Sequence, residues 1–185
     1  VGLAGAYTNL GTVFVGAPPA ETRPKVISAA QKALELDPDL ADAHVELASI
    51  YMRQWKWAEA EAEYRRALDL NPNDAVAHEG FSDWLLCHGR TEEALAWARR
   101  ARDLDPLGSS GHAIGWTLFN AHRYDEAIRE FRDVLTVRPD DRLPLWPLGW
   151  ALIGNHQADK AIPELEEAVS VTNRSPGVIS ALIWA

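Results

Sequence analysis

Apolar and small residues fall at helical spacing over most of the chain, and the pattern returns at a fixed period. Between residues 44 and 72, His44, Leu47-Ala48 and Tyr51 are followed by Ala60, Tyr64, Ala67 and Pro72. Steps of three and four residues put one apolar stripe on each of two helices, because about 3.6 residues per turn bring i, i+3, i+4 and i+7 to one face. The same order returns as His78, Phe81-Ser82, Leu85, Ala94, Ala98, Ala101 and Pro106, then as Ile114-Gly115, Leu118, Ala127, Phe131 and Pro139. A fourth copy reads Leu145, Leu148-Gly149, Leu152, Ala161, Leu165 and Ala168. Pro38, Pro72, Pro106 and Pro139 close successive copies at intervals of 34, 34 and 33 residues. Each copy predicts helix, turn, helix, turn, with Ala or Gly where two backbones approach. One such pair cannot bury its apolar face alone, so the period predicts stacked units that share a core.

This order of large, leucine-small, aromatic, alanine, aromatic and proline resembles the tetratricopeptide repeat, and the resemblance covers nearly the whole chain. It implies an all-α, right-handed superhelical solenoid of helix-turn-helix hairpins: five pairs and a final unpaired helix in a single array over 1–185. Repeats are expected at 41–74, 75–107, 108–141 and 142–175, with a first repeat over about 1–40 and the start of a further one at 176–185. The opening helix is the incomplete Leu3-Ala4-x2-Tyr7. From Tyr7 to Val26 is 19 residues where Tyr51 to Ala60 is 9, so a Gly- and Pro-rich loop insertion is expected at 11–23. Its apolar run, Val13-Phe14-Val15, is expected to fold back on the first hairpins. Asn173 stands in place of a closing proline, with Pro176 three residues later, and Pro147 and Pro163 fall early in their helices. The last helix, Val178 to Ala185, offers Ile179, Leu182 and Ile183 where a terminal unit normally presents a polar face, so an exposed apolar end is expected.

Charge narrows the partners. The 185 residues carry a formal net charge of -9, which repels phosphate backbones and anionic lipid, so no nucleic-acid or membrane partner is expected. Hydrophobic residues make up 47%, enough for a continuous core without a cofactor or metal. The single cysteine, Cys87, excludes an internal disulfide framework, and no leader or membrane span is read, which suits a cytoplasmic location.

The histidines resemble a site but do not make one. They form two series, His44, His78, His112 and His88, His122, His156, each stepping by 34. Residues one repeat apart are separated by about a helix diameter of ~10 Å, too far to share a metal with ligand bonds of ~2 Å. The first series takes a packing position. The second lies in the turn between paired helices, beside Gly89, Ala121 and Asn155, where a positive backbone φ is expected. Asp37, Asp39 and Asp42 lack the glycine and the distant glutamate of a calcium loop and read as helix-start acids. His78-Glu79 lacks a second zinc-protease histidine, and there is neither a phosphate-binding glycine loop nor a Gly-x-Ser-x-Gly elbow. No catalytic residue, metal site or cofactor is therefore assigned, and the chain is read as a non-enzyme. Arg65, Arg66, Arg99, Arg100 and Arg132, with Glu61 and Glu92 nearby, read as a solvated, ion-paired face.

Tetratricopeptide first helices line a concave groove, and the residue after the small position points into it. By resemblance those residues here are Ser49, Asp83, Trp116, Trp150 and Trp184, the last three 34 apart. The N-terminal half of the implied groove is polar, with Ser49, Arg53, Glu79 and Asp83. Its C-terminal half is aromatic: Trp146 lies one turn before Trp150, Phe119 lies close to Trp116, and His112 and Asn120 complete the lining. Chaperone-tail binders of this family hold a terminal carboxylate with Lys, Asn and Arg. Only Asn120 has such a type, and Val45, Ser49 and Asp83 occupy that surface instead. The expected partner is a protein or peptide that is apolar or proline-rich, with a basic end for Glu79 and Asp83. Stretches Ala62 to Pro72 and Gly115 to Val134, with the opening Gly2-Leu3-Ala4-x2-Tyr7, resemble tetratricopeptide tails of bacterial transcription regulators, cyclases and kinases. That implies a docking or sensor segment of a larger regulator. The competing readings are self-association through the unfinished ends, giving a homo-oligomer, and a small-molecule sensor built on a closed aromatic cavity.

Overall fold

The computed structural model describes residues 19–106, 112–171 and 181–184, and among them every regular element is helical. In chain order these are α1 (Pro19–Leu36), α2 (Ala41–Arg53), α3 (Trp57–Leu70), α4 (Ala75–Cys87), α5 (Thr91–Leu104), α6 (Ala113–Asn120), α7 (Tyr124–Val137), α8 (Leu145–Gly154) and α9 (Ala158–Val171). Residues 181–184 are helical as well. The fold is an all-α stack of helix pairs. Two compact units divide it, Val1–Arg90 and Thr91–Ala185, and the division falls in the turn of the repeat expected over 75–107. The expected opening helix at Leu3 to Tyr7, the run Val13 to Val15, and Asn173, Pro176 and Ile179 lie outside the described residues.

One expectation is corrected at the start. Residues 19–23, assigned by composition to the inserted loop, form the first turn of α1. Proline suits that first position: its φ is already helical, and the N–H it lacks would have had no partner within the helix. Within α1, Pro24 lies deeper and removes a hydrogen bond from the helix interior, as Pro163 does in α9.

The turns inside the pairs share one geometry. After α2, α4, α6 and α8 a single residue takes positive φ: Trp55 at 62°, Gly89 at 72°, His122 at 58° and His156 at 58°. The next amide reaches back five residues in each case, Lys56 to Tyr51 O, Arg90 to Leu85 O, Arg123 to Leu118 O and Gln157 to Leu152 O, at 2.8 to 3.0 Å. The positive-φ amides donate to Met52, Leu86, Phe119 and Ile153. This paired ladder is the Schellman motif, which satisfies the last carbonyls of the first helix and reverses the chain. His122 and His156 thus sit where the sequence predicts. His88 does not, because the 33-residue interval shifts the register by one. It caps α4 with ordinary φ, its Nδ1 donating to Trp84 O at 2.7 Å, and Gly89 takes the left-handed place.

Small residues decide how closely the helices of a pair approach. A Cβ added at Gly115 in α6 would lie 2.6 Å from the Phe131 ring of α7, and one at Gly149 in α8 would fall on Leu165 of α9. Ala48 in α2 and Ser82 in α4 hold the same register and are fully buried. In unit 1, Val26 and Ala30 of α1 pack against Leu47 and Ile50 of α2. In unit 2, Leu95, Ile114, Leu118, Ile128, Phe131, Leu148 and Leu165 form one core.

Gly115→Ala is expected to lower stability by about 1–3 kcal/mol, the cost of overpacking a filled core, as measured by thermal or urea unfolding. His156→Gly should instead raise it by about 0.5–1 kcal/mol, since glycine takes the left-handed conformation without a Cβ penalty and His156 is exposed.

Candidate functional site

The first-helix faces of α2 and α4 make one surface in unit 1. Ser49 Oγ and the Tyr64 hydroxyl lie 3.2 Å apart, and Tyr64 is buried between α2 and α4. Burial pushes the Tyr64 phenol well above its ordinary value, the Ser49 hydrogen bond partly offsets this, and Asp83, Arg53 and Glu79 all act on it. Of the four polar residues singled out in the sequence, Ser49 touches this phenol and Asp83, Arg53 and Glu79 act on it through their charge. Arg53 is exposed in the last turn of α2.

Asp83 is the electrostatic centre of this surface. Among the described residues it has neither hydrogen bond nor ion pair, and loss of water, then Glu79 one turn away, pushes its carboxyl up to about 7. Burial first and Asp83 second also raise the Cys87 thiol. Two turns earlier on the same helices, Asp42, Val45, Glu46, Asp74 and Val76 line an open cleft of about 260 Å³. Asp74 caps α4, its Oδ1 accepting from the amides of Val76 at 2.9 Å and Ala77 at 3.0 Å. The sequence does not single out Glu46 and Val76, and Asp42 reads there only as a helix-start acid. The i, i+4, i+7 stripe running from Asp42 through Glu46 to Ser49 is the signal that finds them.

Unit 2 places the aromatic residues differently from an even ladder. The ring that stacks on Trp116 is Trp146 at 5.8 Å and 28°, not Trp150, and Phe119 stacks on Trp116 as well, at 5.6 Å and 29°. Tyr124 continues the row at 5.9 Å from Phe119. Trp116, Trp146 and Phe119 are each half-buried. The Trp146 Nε1 is buried with no hydrogen-bond partner among the described residues. Trp150 is half-buried on α8, and Trp184 is 73% exposed with Ile183 at 79%. Asn120 turns its amide back onto its own helix, Nδ2 donating to Trp116 O at 2.9 Å, and half-buried His112 precedes α6.

A second aromatic group, in unit 1, was missed. Trp84 Nε1 donates to Trp57 O at 2.9 Å, its ring stacks on His88 at 4.0 Å, and Trp57 meets Trp55 edge-on at 5.4 Å. Trp55 is 76% exposed on its left-handed turn. The Trp-Lys-Trp run at 55–57 is the trace of it in the sequence. The arginine face is paired in part as expected: Arg65 with Glu61 at 2.6 Å and Arg66 with Asp39, whereas Glu92 pairs with Arg123. Among the described residues no group of three His, Cys, Asp or Glu could hold a metal, and no helix is long and apolar enough to cross a membrane.

Helix pairs of this length, closed by the same turn and packed through the same small residues, agree with the family comparison. Tetratricopeptide-repeat models match residues 41–74 and 112–177. The chain is a tetratricopeptide-repeat protein. Among solved structures, TTC0263, a thermophilic tetratricopeptide protein of Thermus thermophilus, superposes with a TM-score of 0.79 at 16% identity, covering 97% of this chain and 99% of that one. YrrB, described as a tetratricopeptide protein with an unusual peptide-binding site, gives 0.60 at 19% identity over 98% and 90%. MamA gives 0.61 at 18% identity over 84% and 92%. At such identities these likenesses establish the fold alone. No curated protein sequence matches the chain significantly.

Asp83 makes stability depend on pH. Its folded value of about 7 lies above the ordinary 3.8, so the folded state binds the proton more tightly than the unfolded one. The stabilisation this provides is complete below about pH 4 and is lost as pH rises through 7. Asp83→Asn should therefore leave unfolding near pH 4 almost unchanged and raise stability at pH 8 by about 1–2 kcal/mol.

Proposed function

We propose that the chain is a non-enzymatic protein- or peptide-docking scaffold, one repeat array serving as the docking or sensor segment of a larger cytoplasmic bacterial regulator. The row Trp146, Trp116 and Phe119 carries this reading, since grouped, half-exposed rings on rigid helices bury large area on binding with few rotors to freeze. The polar group around Tyr64 supplies a second, chemically distinct surface in unit 1. A neighbour in fold, YrrB, is described as having a peptide-binding site, which supports the same use here. The place in a regulator rests on the resemblance of the opening segment, of Ala62 to Pro72 and of Gly115 to Val134. A small-molecule sensor draws no support from the 260 Å³ cleft, which is open and lined by carboxylates and valines rather than rings.

One observation favours self-association as a second reading. Ile183 and Trp184 project at 79% and 73% exposure beside Leu182, which packs on the unit 2 core. Ile183→Asp in sedimentation velocity decides it: loss of a dimer supports assembly, and a monomer in both forms removes it.

The docking reading is tested by panning a displayed random-peptide library on the purified chain. Enriched peptides should lose about 2 kcal/mol or more of binding with Trp116→Ala, the scale of an interface hot spot. Stability should fall by less than the ~3–5 kcal/mol of a large-to-small core change. No enrichment, or peptides indifferent to Trp116 and to the Glu79/Asp83 pair alike, would sink the proposal.

A further inference from the structure

The first helices of unit 2 differ from those of unit 1 in a way that bears on the partner. Neither α6 nor α8 contains a charged residue, in a chain of which 24% is charged. By contrast α2 contains Asp42, Glu46 and Arg53, and α4 contains Glu79 and Asp83. On the uncharged pair, Trp116 stacks on Trp146 at 5.8 Å and on Phe119 at 5.6 Å. We propose that this row binds an uncharged, proline-rich peptide in polyproline II conformation, its prolines against the three rings and one of its carbonyls accepting from Trp146 Nε1. The inference rests on the docking reading and deepens it by naming the chemical class of the partner.

Charge sets the side chains. A Lys, Arg, Asp or Glu brought onto α6 and α8 would give up hydration and meet no opposite charge on either helix, whereas a neutral side chain gives up nothing comparable. Hydrogen bonding then sets the backbone. An extended peptide usually finds partners for its amides on a sheet edge, and among the described residues every regular element is helical. Laid on indole and phenyl faces, each N–H turned inward would lose water and gain no acceptor. Proline has no N–H to lose, and its fixed φ prepares polyproline II before binding.

Such a ligand still presents carbonyl oxygens, because polyproline II makes no internal hydrogen bonds. The row has a donor for one of them. Asn120 commits its amide to Trp116 O, but Trp146 Nε1 has no acceptor among the described residues. That nitrogen is covered in the free chain, so the indole turns to deliver it, and the cost of leaving a donor buried and unpaired favours the turn. A helical peptide gains less from this donor, since only the carbonyls of its last turn lack partners.

The test titrates fluorescein-labelled peptides of repeated Ala-Pro-Pro, Lys-Pro-Pro and Glu-Pro-Pro, and a helical Leu-Ala-Gln repeat, against the full chain by anisotropy. The charged repeats keep the backbone and change the charge; the helical one does the reverse. At about 0.5 M salt, where the overall field is screened, Ala-Pro-Pro should bind at least roughly fivefold tighter than either charged repeat and roughly tenfold tighter than the helical one. Its affinity should stay within about twofold between about 0.05 and about 0.5 M salt. Trp116→Ala should weaken it roughly tenfold or more. Trp146→Phe, which keeps an aromatic ring and removes the donor, should weaken it roughly threefold or more. The Trp146 indole N–H resonance, assigned by its loss in that variant, should move downfield on saturation with peptide. Trp55→Ala, which removes an exposed indole of unit 1, controls for general attraction of proline to tryptophan and should leave affinity unchanged. Indifference to both Trp116→Ala and Trp146→Phe in folded protein, or an equal loss with Trp55→Ala, would overturn the proposal. If a charged or helical peptide binds better than Ala-Pro-Pro and is lost with Trp116→Ala, the proline inference falls and the docking reading stands. If no peptide binds here and none emerges from the displayed library, both fall.

Discussion

Where the two helices of a pair cross, there is no room for a larger side chain, and the rest of the surface follows from that. Gly115 lies against Phe131 and Gly149 against Leu165, so the first helix of each of these pairs can seat in only one rotation about its axis. Successive residues on a helix step around by roughly 100°, which carries the next side chain off the crossing point and onto the flank. That next residue is Trp116 after Gly115, Trp150 after Gly149, Ser49 after Ala48 and Asp83 after Ser82. A packing requirement in the core thus selects which position is carried out to the flank. Whatever the residue type there, its backbone is held by the best-packed contact of the pair.

The turn that follows acts on the same surface through register. Each Schellman ladder ties the chain back to the end of the first helix, so the second helix begins at a fixed point and brings Tyr64 or Phe131 to its place. Three of the four turns hold this geometry without glycine, at Trp55, His122 and His156, and accept strain to do so. His122 recovers part of it through the 2.6 Å hydrogen bond between its imidazole and the Tyr124 hydroxyl, and Trp55 through its edge contact with Trp57. In unit 1 the strained turn is also a highly exposed aromatic position, so local backbone strain and surface display coincide at one residue.

The period, the helix pairs and the small residues at the crossings were legible because each depends on spacing alone. Side-chain partners were not. The 34-residue interval of Trp116 and Trp150 suggests a ladder, yet Trp116 stacks on Trp146, since the partner is set by which rotamer reaches across and not by the repeat count. Asn120 has the residue type of a clamp and spends its amide on its own helix. The histidine in the turn slips by one at His88 because one interval is 33 residues. That slip is visible in the proline spacing but hidden when the histidines are counted by themselves. Composition misjudged residues 19–23, where a proline begins a helix instead of prolonging a loop. The state of Asp83 was beyond the sequence altogether, because it depends on how much water its surroundings exclude.

That last point separates stability from function in unit 1. A serine or asparagine would satisfy the Asp83 position at less cost than an acid whose ionisation the fold opposes, since desolvation and Glu79 both work against the charged form. An acid in such surroundings holds its proton to higher pH, so the charge it places on this face changes as the carboxyl titrates. The chain as a whole carries a charge of -9, so a second copy approaching this face meets repulsion, whereas a cationic segment meets attraction from both the local carboxylates and the overall field. These acidic groups lie in unit 1, and the stacked aromatic row lies in unit 2.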